Sequence, residues 1–219
     1  MATRAKPKAA AKRRYHSPRR REQAEATRTA ILDAAERLFI QDGYAATSMA
    51  GIAAEAGVAL KTVYVGFETK SGLFRALWHR KLRIGDEYTP AGEQPWFREV
   101  LEATDPAEAL RLNARNSIRV KTRIAPLGAV MLSAAPSDPE IEALSERIWT
   151  EFYENQLEVV KAIDRRKGLK KGLSVERAAD ILWTLNHPRV YLLLMQERGW
   201  NAEDYERWLA NVTCEQLLA

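Results

Sequence analysis

An all-α fold is what this sequence predicts. From Glu22 onward apolar residues recur at intervals of three and four. No stretch alternates with period two over the length of a strand, and glycines and prolines punctuate the chain at helix-length intervals. No internal repeat is visible.

The first helix starts near Glu22, carries Ile31, Ala34, Ala35, Leu38 and Phe39 on one stripe, and stops at Gly43. A short helix over 49–56 breaks at Gly57, and another spans 60–66. Thr69 is placed to cap a fourth, 70–84, whose apolar face is Leu73, Phe74, Leu77, Trp78 and Leu82. Residues 85–95 hold Gly85, Pro90, Gly92 and Pro95 and read as a link between subregions. Asp105-Pro106 opens a helix to about Ile124, because proline suits a first helical position. Pro126 and Gly128 start a new segment through about Ala135, and Pro136-Ser137-Asp138-Pro139 is a break. A long helix to about Arg166 follows, with Ile141, Leu144, Ile148, Phe152, Val159 and Ile163 on one side and Gly168 and Gly172 beyond its end. Ser174 caps a helix from Val175 to about Glu197, and Gly199 stops it. Asn201 caps the last helix, with Tyr205, Trp208, Leu209, Val212 and Gln216 along one stripe. The organisation expected is a disordered basic arm over 1–21, a helix-turn-helix domain over 22–69, a connecting helix over 70–84, and a ligand-binding and dimerisation domain over 85–219.

Charge is unevenly distributed. Residues 1–21 carry nine Lys/Arg and no acid; residues 22–83 carry eight Lys/Arg and seven Asp/Glu; the remainder carries seventeen and 22. A basic arm on a near-neutral module, followed by an acidic body, points to a polyanion engaged from the N-terminal end. The arm either follows a nucleic-acid backbone or groove, or is a solvated tail adding salt-sensitive, non-specific affinity. With one cysteine, Cys214, neither an internal disulfide nor a multi-cysteine zinc site is available. His16, His79 and His187 lie far apart, so no metal is expected. No run approaches about 18 consecutive apolar residues, and the first residues hold no apolar leader, which predicts a cytoplasmic chain with no membrane partner. No phosphate-binding glycine motif occurs, so no cofactor is expected. No local nucleophile–base pattern argues for an enzyme, and Cys214 reads as a packed thiol.

The informative stretch is Ile52 to Tyr64. Ala53 is small enough to let a second helix approach, Gly57 supplies a sharp turn, and Val63 packs back beside Ile52 and Ala53. Small residue, glycine and aliphatic at these intervals form the helix-turn-helix pattern, although an ordinary αα-hairpin can carry the same triplet. The second helix then offers Leu60, Lys61, Thr62, Tyr64 and Val65 to a partner, a set with donors for phosphates and base edges.

The segments Thr29–Phe39, Gly43–Ser48, Thr62-Val63-Tyr64 with Phe67, and Lys70-Ser71-Gly72-Leu73-Phe74 together resemble the TetR/AcrR family of transcriptional regulators over about 22–83. The resemblance implies a ligand-responsive regulator, by family habit a repressor. It would bind a palindromic double-stranded DNA operator as a homodimer and be released by a small apolar effector. It also implies that Thr47 and Ser48 cap the second helix and touch a phosphate, that Lys61 and Thr62 lead the recognition helix, and that Tyr64 and Lys70 contact backbone phosphate. Two positions depart from the family: Ala59 stands where relatives often have serine, and Gly66 where they often have histidine. Both departures thin the set of DNA contacts. The alternative is a nucleoid-type protein binding any duplex by charge, against which the near-neutral 22–83 module argues.

The Val175–Glu197 segment is apolar nearly all round, so it should be buried on all sides, one face against its own core and another against a second copy, with the dimer formed through roughly 175–218. Pro188 should kink it and free the carbonyl of Thr184. Asn186 and His187 then form the polar end of a ligand pocket whose remaining walls are drawn from Trp96, Met131, Trp149, Phe152, Tyr153, Trp183 and Tyr191, each of which could equally be core. Tilting of helix 70–84 would link that pocket to the DNA-reading helices.

Overall fold

The computed structural model describes residues 18–82 and 90–219. Helix α1 (Pro18–Ala46) is followed by α2 (Met49–Glu55), α3 (Leu60–Phe67) and α4 (Lys70–Leu82). After a 3-10 turn at Ala91–Glu93 come α5 (Pro95–Glu102), α6 (Pro106–Ala134), a second 3-10 turn (Ala135–Ser137), α7 (Pro139–Arg165), α8 (Val175–Leu185) and α9 (Pro188–Leu192). A π-helical turn (Leu193–Glu197) leads to α10 (Ala202–Leu217). Among the described residues there is no strand beyond an isolated bridge between Leu169 and Leu218, and no single helix is long and apolar enough to cross a membrane.

Most ends fall where the cap chemistry puts them. Ser48, Asp105, Asp138, Ser174 and Asn201 each accept a backbone N–H of the helix they open. Thr69 Oγ1 accepts the N–H of Gly72 at 2.9 Å. Gly43, at φ 79° and ψ 168°, breaks the helical path of α1 where a stop was expected.

Four expectations are corrected. Residues 18–21 are helical, so α1 begins before the expected end of the arm; residues 1–17 lie outside the described residues. Helix α5 occupies a stretch left unassigned, where Trp96, Phe97, Val100 and Leu101 form a short amphipathic face behind Pro95. Helix α6 runs through Pro126 without a break. Burial of Ile124, Leu127 and Met131 on one face outweighs the one backbone bond the ring removes. The Val175–Glu197 segment is cut into three pieces rather than kinked: a residue before proline disfavours the helical region, and His187 is extended at φ −69° and ψ 139°. There it caps α9, its Nδ1 accepting the N–H of Arg189 at 3.1 Å. The Thr184 carbonyl is not freed, since it accepts the N–H of His187 at 3.2 Å.

Three apolar clusters fill the chain. The first joins α1–α4 to the C-terminal half of α6 and the start of α7, so the core continues past the expected domain boundary at residue 84. Phe39, Tyr44 and Phe74 pack within it at ring separations of 5.4 to 5.9 Å. The second gathers α5, the first half of α6, the end of α7, α8 and the end of α10. The third lies between α6, α9 and α10.

Candidate nucleic-acid interface and internal cavity

Between α2 and α3 the chain bends by 114°, within the range of helix-turn-helix units. Gly57 takes φ +65°, a conformation L side chains rarely adopt, and the N–H of Val58 closes the turn on the Ala53 carbonyl at 3.0 Å. Met49, Ile52 and Ala53 of α2 and Val63 and Phe67 of α3 are buried together. What remains outside is one face of α3: Leu60, Lys61, Thr62, Tyr64, Val65 and Gly66 are all exposed, Val65 at 77%. Helix α3 contains no acidic residue. Its first turn is capped by no side chain, because Ala59 has none to offer.

Two anticipated contacts are placed elsewhere. Thr47 is 4% exposed, and its hydroxyl donates to the Gly43 carbonyl at 2.7 Å; Ser48 alone caps α2. Lys70 Nζ donates to the carbonyls of Tyr44 (2.8 Å) and Thr47 (3.1 Å) and sits 4.1 Å above the Tyr44 ring. It fastens α4 to the end of α1 instead of presenting its ammonium outward. Arg28, which the sequence reading passed over, covers the other end of α3. Its guanidinium lies 4.5 Å over the Phe67 ring and donates to the Gly66 carbonyl at 3.4 Å.

Gly66 is exposed, and a Cβ built there meets nothing within 4 Å. Gly66→His should therefore fit, firm the end of α3, and add a donor toward phosphate. DNA affinity is expected to rise by about two- to tenfold, the worth of one hydrogen bond. A titration of labelled duplex checks this; unchanged or weaker binding would mean that this edge of α3 does not face DNA.

Helix α4 ties the helix-turn-helix unit to the rest of the chain. Arg80 pairs with Asp33 (2.6 Å) and Glu36 (3.1 Å) of α1, and Lys81 also pairs with Glu36. Ser71 bonds Glu140 at the start of α7. On its inner side Trp78, 2% exposed, meets Trp149 of α7 edge to face at 6.5 Å.

Those two indoles wall a cavity of about 120 Å³. Leu82 joins Trp78 from α4, while α5 supplies Trp96 and Phe97, and α6 supplies Asn113, Ser117, Lys121 and Ile124. The far wall is Trp149, Phe152 and Gln156 of α7, with Asn186 and Pro188 at the α8–α9 break. Of the residues expected to form a pocket, Trp96, Trp149, Phe152 and Asn186 do line it. The other five do not. Met131 is fully buried in the first cluster, among α1–α4. Tyr153 packs on the second cluster, its hydroxyl 3.5 Å from Asp180. Tyr191 packs against Tyr205 in the third. Trp183 and His187 meet edge to face behind the wall, ring centroids 4.9 Å apart, because the break turns Asn186 inward and hands His187 to the cap of α9.

Burial lowers His187 to about 4, helped by the charges of Arg189 and Lys121. A histidine whose folded value lies below its ordinary 6.5 is neutral in the fold where the unfolded chain is already protonated. Stability therefore rises with pH between about 4 and 6.5 and is lost as pH falls through that window. Thermal melts of the wild type should show that rise. His187→Asn, which can still cap α9, should show a smaller one, the remainder coming in part from His79, also lowered by burial. An identical rise in the variant would contradict the assignment. Burial likewise pushes the Cys214 thiol up, away from the thiolate form a nucleophile needs.

Apart from Asn186, the polar side of the cavity was missed. Lys121 is 2% exposed and donates to Asn186 Oδ1 (2.6 Å) and to the Tyr205 hydroxyl (2.9 Å). Asn186 Oδ1 also accepts from Ser117 Oγ (2.5 Å), and Gln156 Oε1 accepts from Asn186 Nδ2 (3.0 Å) and Asn113 Nδ2 (3.2 Å). The signal was legible: Asn113, Ser117 and Lys121 recur every fourth residue along one face of α6.

Residues 31–77 match the bacterial regulatory proteins of the tetR family. The transcriptional regulator AcrR of Shigella flexneri, an HTH-type protein, is 43% identical over 103 residues, which are 42% of this chain and 48% of that protein. The chain resembles the TetR family over its helix-turn-helix segment. It spans less than half the length of that curated relative. Among solved structures, the chain is similar to NalD, the secondary repressor of the MexAB-OprM multidrug efflux pump in Pseudomonas aeruginosa. The TM-score is 0.70 at 24% identity, over 90% of this chain and 98% of that one. It is also similar to SmeT in its triclosan complex, with a TM-score of 0.69 at 20% identity over 89% and 92% of the two chains. At these identities the likeness is one of fold, and it extends through both the helix-turn-helix and the helices around the cavity.

Proposed function

We propose that this chain is a ligand-responsive, DNA-binding transcriptional regulator, a repressor that holds a palindromic operator as a homodimer and lets go when a small, largely apolar effector enters the cavity. One observation carries the reading: α4 braces the helix-turn-helix unit against α1 at Lys70, Arg80 and Lys81 and also walls the cavity with Trp78 and Leu82. A ligand that prefers a different setting of α4 changes the placement of α3, and ligand and DNA then weaken each other reciprocally, by about 1–3 kcal/mol. The repressor role is supported by the likeness to NalD, and a small effector by the triclosan bound to SmeT.

Dimerisation is supported by the surface of residues 175–218. Leu193 is 49% exposed, and Trp183, Leu185, Leu192, Leu194, Met195 and Trp208 are only part-buried in a single copy. A second copy would cover them and set two α3 helices about 34–36 Å apart, one turn of duplex. Sedimentation of the purified chain, with a mobility shift at two salt concentrations, tests both. Two copies bound to a duplex from upstream of its own reading frame, and not to random duplex at higher salt, is the expected result. A lone copy, or equal affinity for both duplexes, would refute it.

A further inference from the structure

The cavity wall carries hydrogen-bond donors without acceptors. Lys121, as an ammonium, has three N–H donors, of which two are accounted for by Asn186 and Tyr205. Among the described residues no carboxylate pairs with it. The indole N–H groups of Trp96 and Trp149, both in the same wall, are buried with no acceptor among the described residues. A buried cation without a counter-charge and two orphaned donors are each unfavourable, and an occupant bringing acceptors relieves them together.

We infer that the effector is an amphipathic organic acid: an aromatic or alkyl body seated against Trp78, Trp149 and Phe152, and a carboxylate or comparable anionic group paired with Lys121. This rests on the cavity being the effector site. At about 120 Å³ the cavity is close to the roughly 150 Å³ that holds a benzene-sized molecule, which is room for the ring end of such an acid. Glu151 also reaches the wall and would favour a cation, but it is exposed to solvent, whereas Lys121 is 2% exposed. Charge counts for more where water is excluded, so the lysine decides the sign. Burial holds Lys121 well below its ordinary range while nothing pairs with it; an arriving anion supplies the missing partner.

Calorimetric titration of the full chain with 4-phenylbutanoate, 4-phenylbutanamide and (3-phenylpropyl)trimethylammonium tests this. The acid should bind about tenfold tighter than the amide, the usual margin of a charge-assisted hydrogen bond over a neutral one. The ammonium should bind most weakly. Lys121→Met should erase the preference while keeping amide binding, and Lys121→Arg should retain it. The wild-type ranking stands as a test even if a variant fails to fold. Equal binding of acid and amide, or tighter binding of the ammonium, overturns the acid and leaves the cavity as the effector site. Ile148 also lines the cavity; if no compound binds, or binding survives Ile148→Trp, which fills the space, the site itself is wrong and the inference falls with it.

Discussion

Trp78→Ala should lower the stability of this chain by about 3–5 kcal/mol, the usual range for removing a fully buried tryptophan. The indole is 2% exposed, packs in the first cluster, and meets Trp149 edge to face. In a domain of this size each kcal/mol shifts the melting temperature by about 2–4 °C, so a drop of roughly 6–20 °C is expected. A second consequence separates a coupling role from simple packing. Trp78→Phe should recover much of the stability, yet its smaller ring should leave DNA binding less responsive to an occupant of the cavity. A Phe variant that melts lower but responds in full would make Trp78 a packing residue alone.

The double variant Lys61→Ala, Tyr64→Ala should bind its duplex about 30- to 1,000-fold more weakly, which is roughly 2–4 kcal/mol for two donors to charged phosphates. Both side chains are exposed on α3, Tyr64 at 48%. The fold should therefore change by no more than about 0.5 kcal/mol, and circular dichroism melts should overlay the wild type. Loss of the Lys61 charge should also reduce the slope of log affinity against log salt by about one. Tyr64→Phe separates the hydroxyl from the ring. Full affinity in the double variant would remove α3 from the interface.

The helix-turn-helix was legible because its signals are local. Gly57 needs a backbone only glycine adopts cheaply, and Ala53, Val63 and Phe67 alternate with exposed partners at helical spacing over a few turns. Local reasoning failed where a distant partner decides a side chain's fate. Lys70 looks like a phosphate donor until the carbonyls of Tyr44 and Thr47, 26 and 23 positions away, are seen to accept its hydrogen bonds. Thr47 looks like a cap until the Gly43 kink brings a carbonyl to its hydroxyl. The cavity was half legible for the same reason. Aromatic residues were recognisable as wall material, but which of them meet depends on where the chain breaks before Pro188. Asn186, just before the break, lines the wall, whereas His187 at the break caps α9. Lys121 was passed over because a lysine on a long helix is ordinarily solvated; only the packing of α10 across α6, with Tyr205 over its ammonium, buries it.

Selection of bound molecules from a random pool of duplexes, at physiological salt and with the full chain, tests the proposed function most directly. Enrichment of an inverted repeat, with half-sites one helical turn or a multiple apart and at least about a thousandfold tighter than bulk duplex, is the result this account requires. A pool that emerges unenriched, or an enriched site with no two-fold symmetry, would contradict it.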